Sequence, residues 1–292
     1  MTLHHGTDAL SVDRLGPPDL IETFAFLDRD PVLNVYLIAL VLRDALGHAR
    51  DEFWAARREG EIVGLLHLGG QSGAVLPLGE DVRALERLGS QLVERLGYLP
   101  RRFQIIGPRG PVEILKQRLE REAVAPRLHR GQVYMSLGRG ELPPFERLPE
   151  LRPARRGDYP VVFETGAELR AEELGDDPRA SDPMGYARRV EDECRDGYTH
   201  LWLDGAGLCF RASMSARTAD AVQVSGVYTP PARRNQGLAQ RGLSELCVRL
   251  LEQSRSVCLF VNDFNDPALA LYRRLGFKVL ADWASAFYDH RR

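Results

Sequence analysis

The stretch from Val222 to Ala239 leaves this chain few ways to fold. Val222-Gln-Val-Ser-Gly-Val-Tyr228 reads as a strand, within Ala221–Tyr228. Thr229-Pro230-Pro231 ends it, because proline has no N–H to give a sheet ladder. Arg234-Asn235-Gln236-Gly237-Leu238-Ala239 then opens a helix expected over Asn235–Gln253. Its Leu238, Leu243, Leu246, Cys247, Leu250 and Leu251 recur at helical spacing. The first N–H groups of a helix have no internal partner, and the helix dipole is positive there. Such a turn suits a phosphate. The small residues Gly237 and Ala239 allow close approach to the backbone. At least one of Arg233 and Arg234 is expected to touch the anion. No Gly-Lys-Ser/Thr follows and there is no GxGxxG, so neither a P-loop nor a dinucleotide fold is indicated.

A second segment follows at one helix's remove. Val257–Val261 reads as a short buried strand. Asn265 stands before Asp266 and Pro267, a good N-cap with proline at the helix start. Tyr272 lies seven residues beyond Asn265. That is about two helical turns, so both project from nearly one face.

Together these segments resemble the Gcn5-related N-acetyltransferase (GNAT) superfamily. Arg234-x-x-Gly237-x-Ala239 resembles its acyl-CoA pyrophosphate loop. Leu259-x-Val261-x-x-x-Asn265-x-x-Ala268-x-x-Leu271-Tyr272-x-x-x-Gly276-Phe277 is similar to its second signature. The resemblance is most specific over Gly226–Phe277 and covers Leu151–Tyr288 in layout. It implies acetyl-CoA as co-substrate. Arg234, Asn235, Gln236, Gly237, Leu238 and Ala239 would hold its pyrophosphate. The backbone of Val227, Tyr228 and Thr229 would pair with pantetheine, and Asn265 would lie near that arm. Tyr272 would protonate the departing CoA thiolate. A phenol of pKa near ~10 is neutral at pH 7 and can donate to a thiolate whose thiol has a pKa of roughly 8.5.

One departure matters. Many members of the family carry a carboxylate on the strand ahead of the phosphate loop, as general base. Ala221–Val227 holds no Asp or Glu. Glu164, Glu168, Glu172 and Glu173 on the preceding helix, and His200 on a strand, are alternatives. The residues assign the role to none of them.

The 292 residues suggest about two domains. Gly138–Pro153 carries two glycines and four prolines without a periodic apolar face, so it reads as a linker or a surface strap. The expected division is 1–142, a linker at 143–150, and 151–292. The fold class is α/β (α+β): tandem GNAT-like domains, each a mixed, mostly antiparallel sheet flanked by helices.

In the first half, helices are expected at Pro31–Gly47, Asp81–Leu96 and Gly110–Glu122. Strands are expected at Phe53–Arg58, Ile62–Leu68, Ala74–Leu78, Phe103–Ile106 and Gln132–Leu137. In the second half, helices fall at Asp158–Leu174, Pro183–Cys194 and Pro267–Leu275. A hairpin joins His200–Leu203 to Leu208–Ala216, and Lys278–Leu280 with Ala284–Tyr288 finish the sheet. The first half has no phosphate loop. Leu78-Gly-Glu-Asp-Val82 puts two acidic residues at a helix start, where they satisfy the dipole themselves and repel phosphate. This half is expected to be a degenerate domain that closes one side of an acceptor pocket or mediates homodimerisation.

Charge and cysteines narrow the function further. Lys and Arg number 39 against 41 Asp and Glu, and neither half is basic, which argues against a nucleic-acid partner. The longest apolar run, Pro31–Leu42, is far short of the ~20 residues a spanning helix needs. No signal-peptide pattern opens the chain, so a cytoplasmic protein with no membrane partner is expected. Cys194, Cys209, Cys247 and Cys258 form no CxxC pair and are expected as buried thiols, with no metal implied. His4–His5 is expected to be inert.

The function expected is an acyl-CoA-dependent N-acyltransferase, moving acetyl to an amine by direct attack in a ternary complex. A mycothiol-synthase-like tandem acetyltransferase and a non-catalytic acyl-CoA sensor are the alternatives. Gly175–Pro183 would form a pocket rim, its Asp176 and Asp177 suiting a cationic acceptor.

Overall fold

A computed structural model describes residues 10–290 of the chain; His4–His5 lies outside them. In chain order the elements are β1 (Leu10–Leu15), α1 (Leu20–Leu27), α2 (Val35–Asp44), β2 (Asp51–Arg58), β3 (Glu61–Gly69), β4 (Ala74–Gly79), α3 (Val82–Glu94), β5 (Arg102–Pro108), α4 (Arg109–Glu120) and β6 (Leu128–Gly138). Then come β7 (Arg152–Pro153), α5 (Tyr159–Leu174), α6 (Pro178–Ser181), α7 (Pro183–Asp196), β8 (Thr199–Asp204), β9 (Gly207–Arg217), β10 (Ala221–Tyr228), α8 (Leu238–Gln253), β11 (Ser256–Asn262), α9 (Asp266–Arg274) and β12 (Lys278–Asp289).

Compactness divides the chain otherwise than chain order does. Among the described residues, one unit holds 10–134, 261–264 and 280–290; the other holds 135–260 and 265–279. In the first unit the strands run β1-β2-β3-β4-β5-β12. The β4–β5 pair is parallel and the others are antiparallel. The C-terminal strand joins this unit because Trp283–Asp289 pairs antiparallel with Pro108–Arg102. Phe103 and Tyr288 stack there, ring centroids 4.6 Å apart. Two cores form on the two sheet faces. Ala55 and Leu65 join Leu27, Leu37 and Val41 of α1 and α2, while Ala56 and Leu66 join Leu85, Leu88, Val112 and Leu115 of α3 and α4. The alternation is that of a strand buried on both sides.

In the second unit the strands run β11-β10-β9-β8-β7. All pairs are antiparallel except β10–β11. A core of Val162, Tyr186, Val190, Leu201 and Leu208 lies under α5 and α7. α8 covers other strand residues. A Cβ on Gly242 would come within 2.4 Å of the Phe210 ring, so glycine is what lets the helix lie against β9.

Each unit is thus a mixed, mostly antiparallel sheet flanked by helices, as expected. Several details differ from expectation. β1 and α1 carry weak sequence patterns and went unanticipated. Pro31–Gly47 is helical only from Val35, after Asn34. Lys278–Asp289 is one strand rather than two. The Gly175–Pro183 loop holds a helical turn, α6, capped by the Asp177 carboxylate. α8 begins at Leu238, not Asn235, because Asn235 and Gly237 take left-handed φ values of 63° and 75°. All four cysteines are free and buried. None of the described helices is long and apolar enough to cross a membrane.

Candidate functional site

Apart from Val261, the residues singled out by the two sequence segments lie in the second unit. β10 and β11 are joined only from Ala221↔Ser256 to Gln223↔Cys258. Beyond that point β10 runs on to Tyr228 while its pairing with β11 has ended, so the two strands part. On its other side the register with β9 shifts between Ser225 and Tyr228, where Gly226 has φ 59°. A Cβ on Gly226 would stand 3.7 Å from Leu169 of α5, so α5 overlooks this bulge. Val227 is half-buried and Tyr228 buried. Backbone polar groups on the side facing the gap are available to an extended ligand, the condition for edge pairing.

The turn after β10 leads to a helix end that no side chain caps. Pro231–Arg233 forms a 3-10 turn, and Gly237 takes the N-cap of α8 with no side-chain hydrogen bond. Arg234, Asn235, Gln236 and Gly237 are exposed, and Leu238 and Ala239 half-buried. A Cβ on Gly237 would meet nothing within 4 Å, so its positive φ, not crowding, calls for glycine. The corresponding strand–turn–helix of the first unit is built otherwise. There the Asp81 carboxylate accepts from Ala84 N at 3.0 Å and caps α3 itself. That matches the expectation of an acidic helix start.

Both arginines of the turn are engaged. Arg233 pairs with Asp204, Nη1 to Oδ1 at 2.7 Å. Arg234 pairs with Glu172 through two bonds of 2.9 and 2.7 Å, and its Nε donates to the Thr229 carbonyl at 3.1 Å. Its guanidinium also lies 5.8 Å from the Tyr228 ring centroid. The Thr229 hydroxyl oxygen is buried beside this loop without a hydrogen-bond partner.

α9 supplies the other half. The Asn265 side chain accepts from Ala268 N at 3.3 Å, the cap expected from the sequence. Tyr272 is 7% exposed and packs against Phe277, ring centroids 5.8 Å apart. Burial, the charge of Glu173 and the nearby Cys247 push its pKa up, so the phenol stays protonated. Gly276 stops the helix at φ 92°, and Phe277 N donates back to the Tyr272 carbonyl at 3.0 Å. A Cβ on Gly276 would sit 2.6 Å from the Glu141 carbonyl oxygen, so the Gly-Phe pair is a required turn.

The carboxylates of α5 sort clearly. Glu164 pairs with Arg179. Glu168 accepts from the Tyr228 hydroxyl at 2.9 Å, and Glu172 holds Arg234. Glu173 makes no ion pair or hydrogen bond to a described residue; burial and the neighbouring Glu172 raise its pKa. His200 sits elsewhere, on β8, two strands from β10. It is buried with Nδ1 unpartnered, and burial with Arg249 lowers its pKa to about 4, so it stays neutral. Asp176 and Asp177 are held locally by Ser181 and Arg179. The α5 glutamates share a helical spacing visible in the sequence; their partners arise from tertiary structure.

The family model described as FR47-like protein matches residues 213–287. No curated protein matches the sequence at a significant level. Among solved structures, a GCN5-related N-acetyltransferase from Sphaerobacter thermophilus is 18% identical, with a TM-score of 0.61 over 97% of this chain and 96% of its own. A GNAT-family acetyltransferase from Colwellia psychrerythraea is 10% identical, with a TM-score of 0.56 over 95% and 99%. A tandem GNAT protein from the clavulanic acid biosynthesis pathway is 14% identical, with a TM-score of 0.54 over 97% and 100%. Nearly the whole chain therefore has the fold of the Gcn5-related N-acetyltransferases, and residues 213–287 are the part similar to the FR47-like family.

Proposed function

We propose that the chain is an acyl-CoA-dependent N-acyltransferase that moves acetyl from acetyl-CoA to an amine. The observation carrying this reading is the convergence, within one unit, of a parted strand pair, a helix N-terminus no side chain caps, and a buried tyrosine that stays protonated. The N-terminal amides of α8 suit a pyrophosphate, and the free edge of Val227–Thr229 suits the amide-bearing pantetheine arm. Arg234 and Glu172 are both exposed, so Arg234 is free to exchange its carboxylate for a phosphate.

The neutral amine nitrogen attacks the thioester carbon and loses one proton to water, the C–S bond breaks, and Tyr272 gives its proton to the leaving sulfur and is later reprotonated from solvent. Positioning of the two reactants and backbone N–H groups at the developing oxyanion supply most of the rate.

Thermal unfolding with and without acetyl-CoA tests this, beside a Gly237→Glu variant. Ligand at a hundred times its Kd adds about 2.7 kcal/mol of stability to the parent. Gly237→Glu strains a left-handed position and sets a carboxylate where the phosphates would lie. It is expected to abolish the ligand-induced shift while still unfolding cooperatively. A parent that does not respond to millimolar acetyl-CoA would overturn the transferase reading.

A further inference from the structure

We propose that the cavity at the C-terminal end of α8 is a second ligand site, built for a small organic carboxylate held by Arg217 and His200. The proposal does not depend on the transferase reading. The cavity has a volume of about 350 Å³ and lies wholly within the second unit. β8 contributes His200, β9 contributes Met214 and Arg217, and the last turns of α8 contribute Arg249, Leu250 and Gln253. Side chains alternate along β8. Leu201 belongs to the core under α5 and α7, whereas the Trp202 ring lies 5.5 Å from the Arg241 guanidinium of α8. His200 therefore shares the α8 face with Trp202. Along α8 this end stands about 20 Å from Gly237 and the proposed phosphate turn.

Nothing within the protein accounts for the His200 ring. The residue is 7% exposed, and Nδ1 is buried without a hydrogen-bond partner. Nε2 bonds to no described residue either, and it is the nitrogen left to the cavity. Burial and the charge of Arg249 keep the ring neutral at pH 7. With Nδ1 enclosed, the single ring proton is best placed on Nε2, where it can be donated into the cavity. A buried polar ring that bonds to nothing costs stability. A ligand on Nε2 gives it a use.

The charges around the cavity select the ligand. Arg249 is committed to the Glu245 carboxylate and to the carbonyls of Leu151 and Leu148. Asp196 is committed to Arg195 through two bonds of 2.9 Å. Arg217 is exposed at the end of β9, and its Nη1 donates to the Gln253 side-chain oxygen at 2.8 Å. That partner is neutral, so among the described residues Arg217 has no counter-charge. The cavity thus presents one uncompensated cation and one neutral N–H donor. A carboxylate accepts from both, and its bond to a guanidinium is charge-assisted. A cation would be repelled by Arg217, and a neutral ligand would leave it uncompensated. Met214 and Leu250 give the rest of the molecule an apolar wall, and the thioether favours an aromatic ring.

The test uses the full chain and benzoate, with benzamide as its uncharged counterpart, in calorimetric titrations and imidazole NMR spectra. Benzoate is expected to saturate one site, to bind about tenfold or more tightly than benzamide, and to shift the His200 imidazole signal. That signal is identified as the one missing from His200→Phe. Arg217→Gln and His200→Phe should each weaken benzoate about tenfold or more. Phenylalanine fills the place of the imidazole without an unpartnered nitrogen, so His200→Phe should unfold no earlier than the parent. Arg217 is exposed, so Arg217→Gln decides the matter alone should His200→Phe fail to fold. Acetyl-CoA at millimolar concentration should leave benzoate affinity within about twofold. The proposal is overturned if benzoate binds no better than benzamide, if acetyl-CoA displaces it, or if Arg217→Gln binds it as the parent does.

Discussion

Replacing Glu245 with alanine is expected to cost the second unit about 3 kcal/mol of stability, read from urea denaturation of parent and variant. Glu245 is a carboxylate on α8 with 1% side-chain exposure. One oxygen accepts from Arg147 Nε at 2.8 Å and Leu148 N at 3.0 Å. The other accepts from Arg249 Nε at 2.8 Å and Arg147 Nη2 at 3.1 Å. Arg249 then donates to the carbonyls of Leu151 at 2.6 Å and Leu148 at 3.1 Å. This hub straps the 147–151 segment, with its buried Leu148 and Leu151, onto the helix whose first turn is the proposed phosphate site. Alanine leaves the Leu148 N–H and the Arg249 guanidinium without their acceptor, and an unsatisfied buried donor costs more than the bond itself contributes. A loss under about 0.5 kcal/mol would contradict the strap. The Arg147 bond, with Leu148 N and Arg249, holds the Glu245 pKa down to about 2. An unfolded glutamate titrates near ~4.3. The stabilisation is therefore complete above pH ~5 and is lost as pH falls from there through about 2. The alanine variant should lack that part of the parent's acid sensitivity.

The Gly138–Pro153 segment shows what the sequence could and could not tell. Its prolines and glycines announce a non-periodic connection, and a strap was one of the two forms expected. Nothing local marks Glu245, 97 residues from Leu148, as what holds it. The same division runs through the site. Strand, turn and helix from Ala221 to Gln253 follow from apolar period and turn residues, which are local properties. The start of α8 was placed three residues early because Asn235 gave no sign of its left-handed φ. The partners of Arg233 and Arg234 were illegible, since Asp204 and Glu172 lie 29 and 62 residues away in the chain. β1 and α1 were missed for another reason. LSVDRL and LIETFAFL have short, mixed patterns, and packing in the first unit rather than propensity holds them. The C-terminal strand was recognised as a strand, but compactness assigns most of it to the first unit through its ladder with β5, and no chain-order boundary can express that.

Tyr272→Phe should lower the rate of CoA release about 100-fold or more, while acetyl-CoA affinity stays within about twofold. The ring fills a buried site against Phe277, and phenylalanine keeps that packing. The hydroxyl makes no hydrogen bond to a described residue, so its removal leaves no protein group unsatisfied, and the unfolding midpoint should barely move. A purely structural tyrosine would show the same small stability change but no loss of rate, which is the result that would remove it from the mechanism. Because burial and the Glu173 charge raise the Tyr272 pKa, the phenol remains protonated across neutral pH. Tyr272→Phe should therefore slow turnover by a similar factor across neutral pH. A donor thioester with a better leaving thiolate gives a second test. A thioester whose released thiol has a pKa well below ~8.5 needs little help from an acid, so the Tyr272→Phe deficit should shrink on it. Equal deficits on both thioesters would mean that Tyr272 does not protonate sulfur.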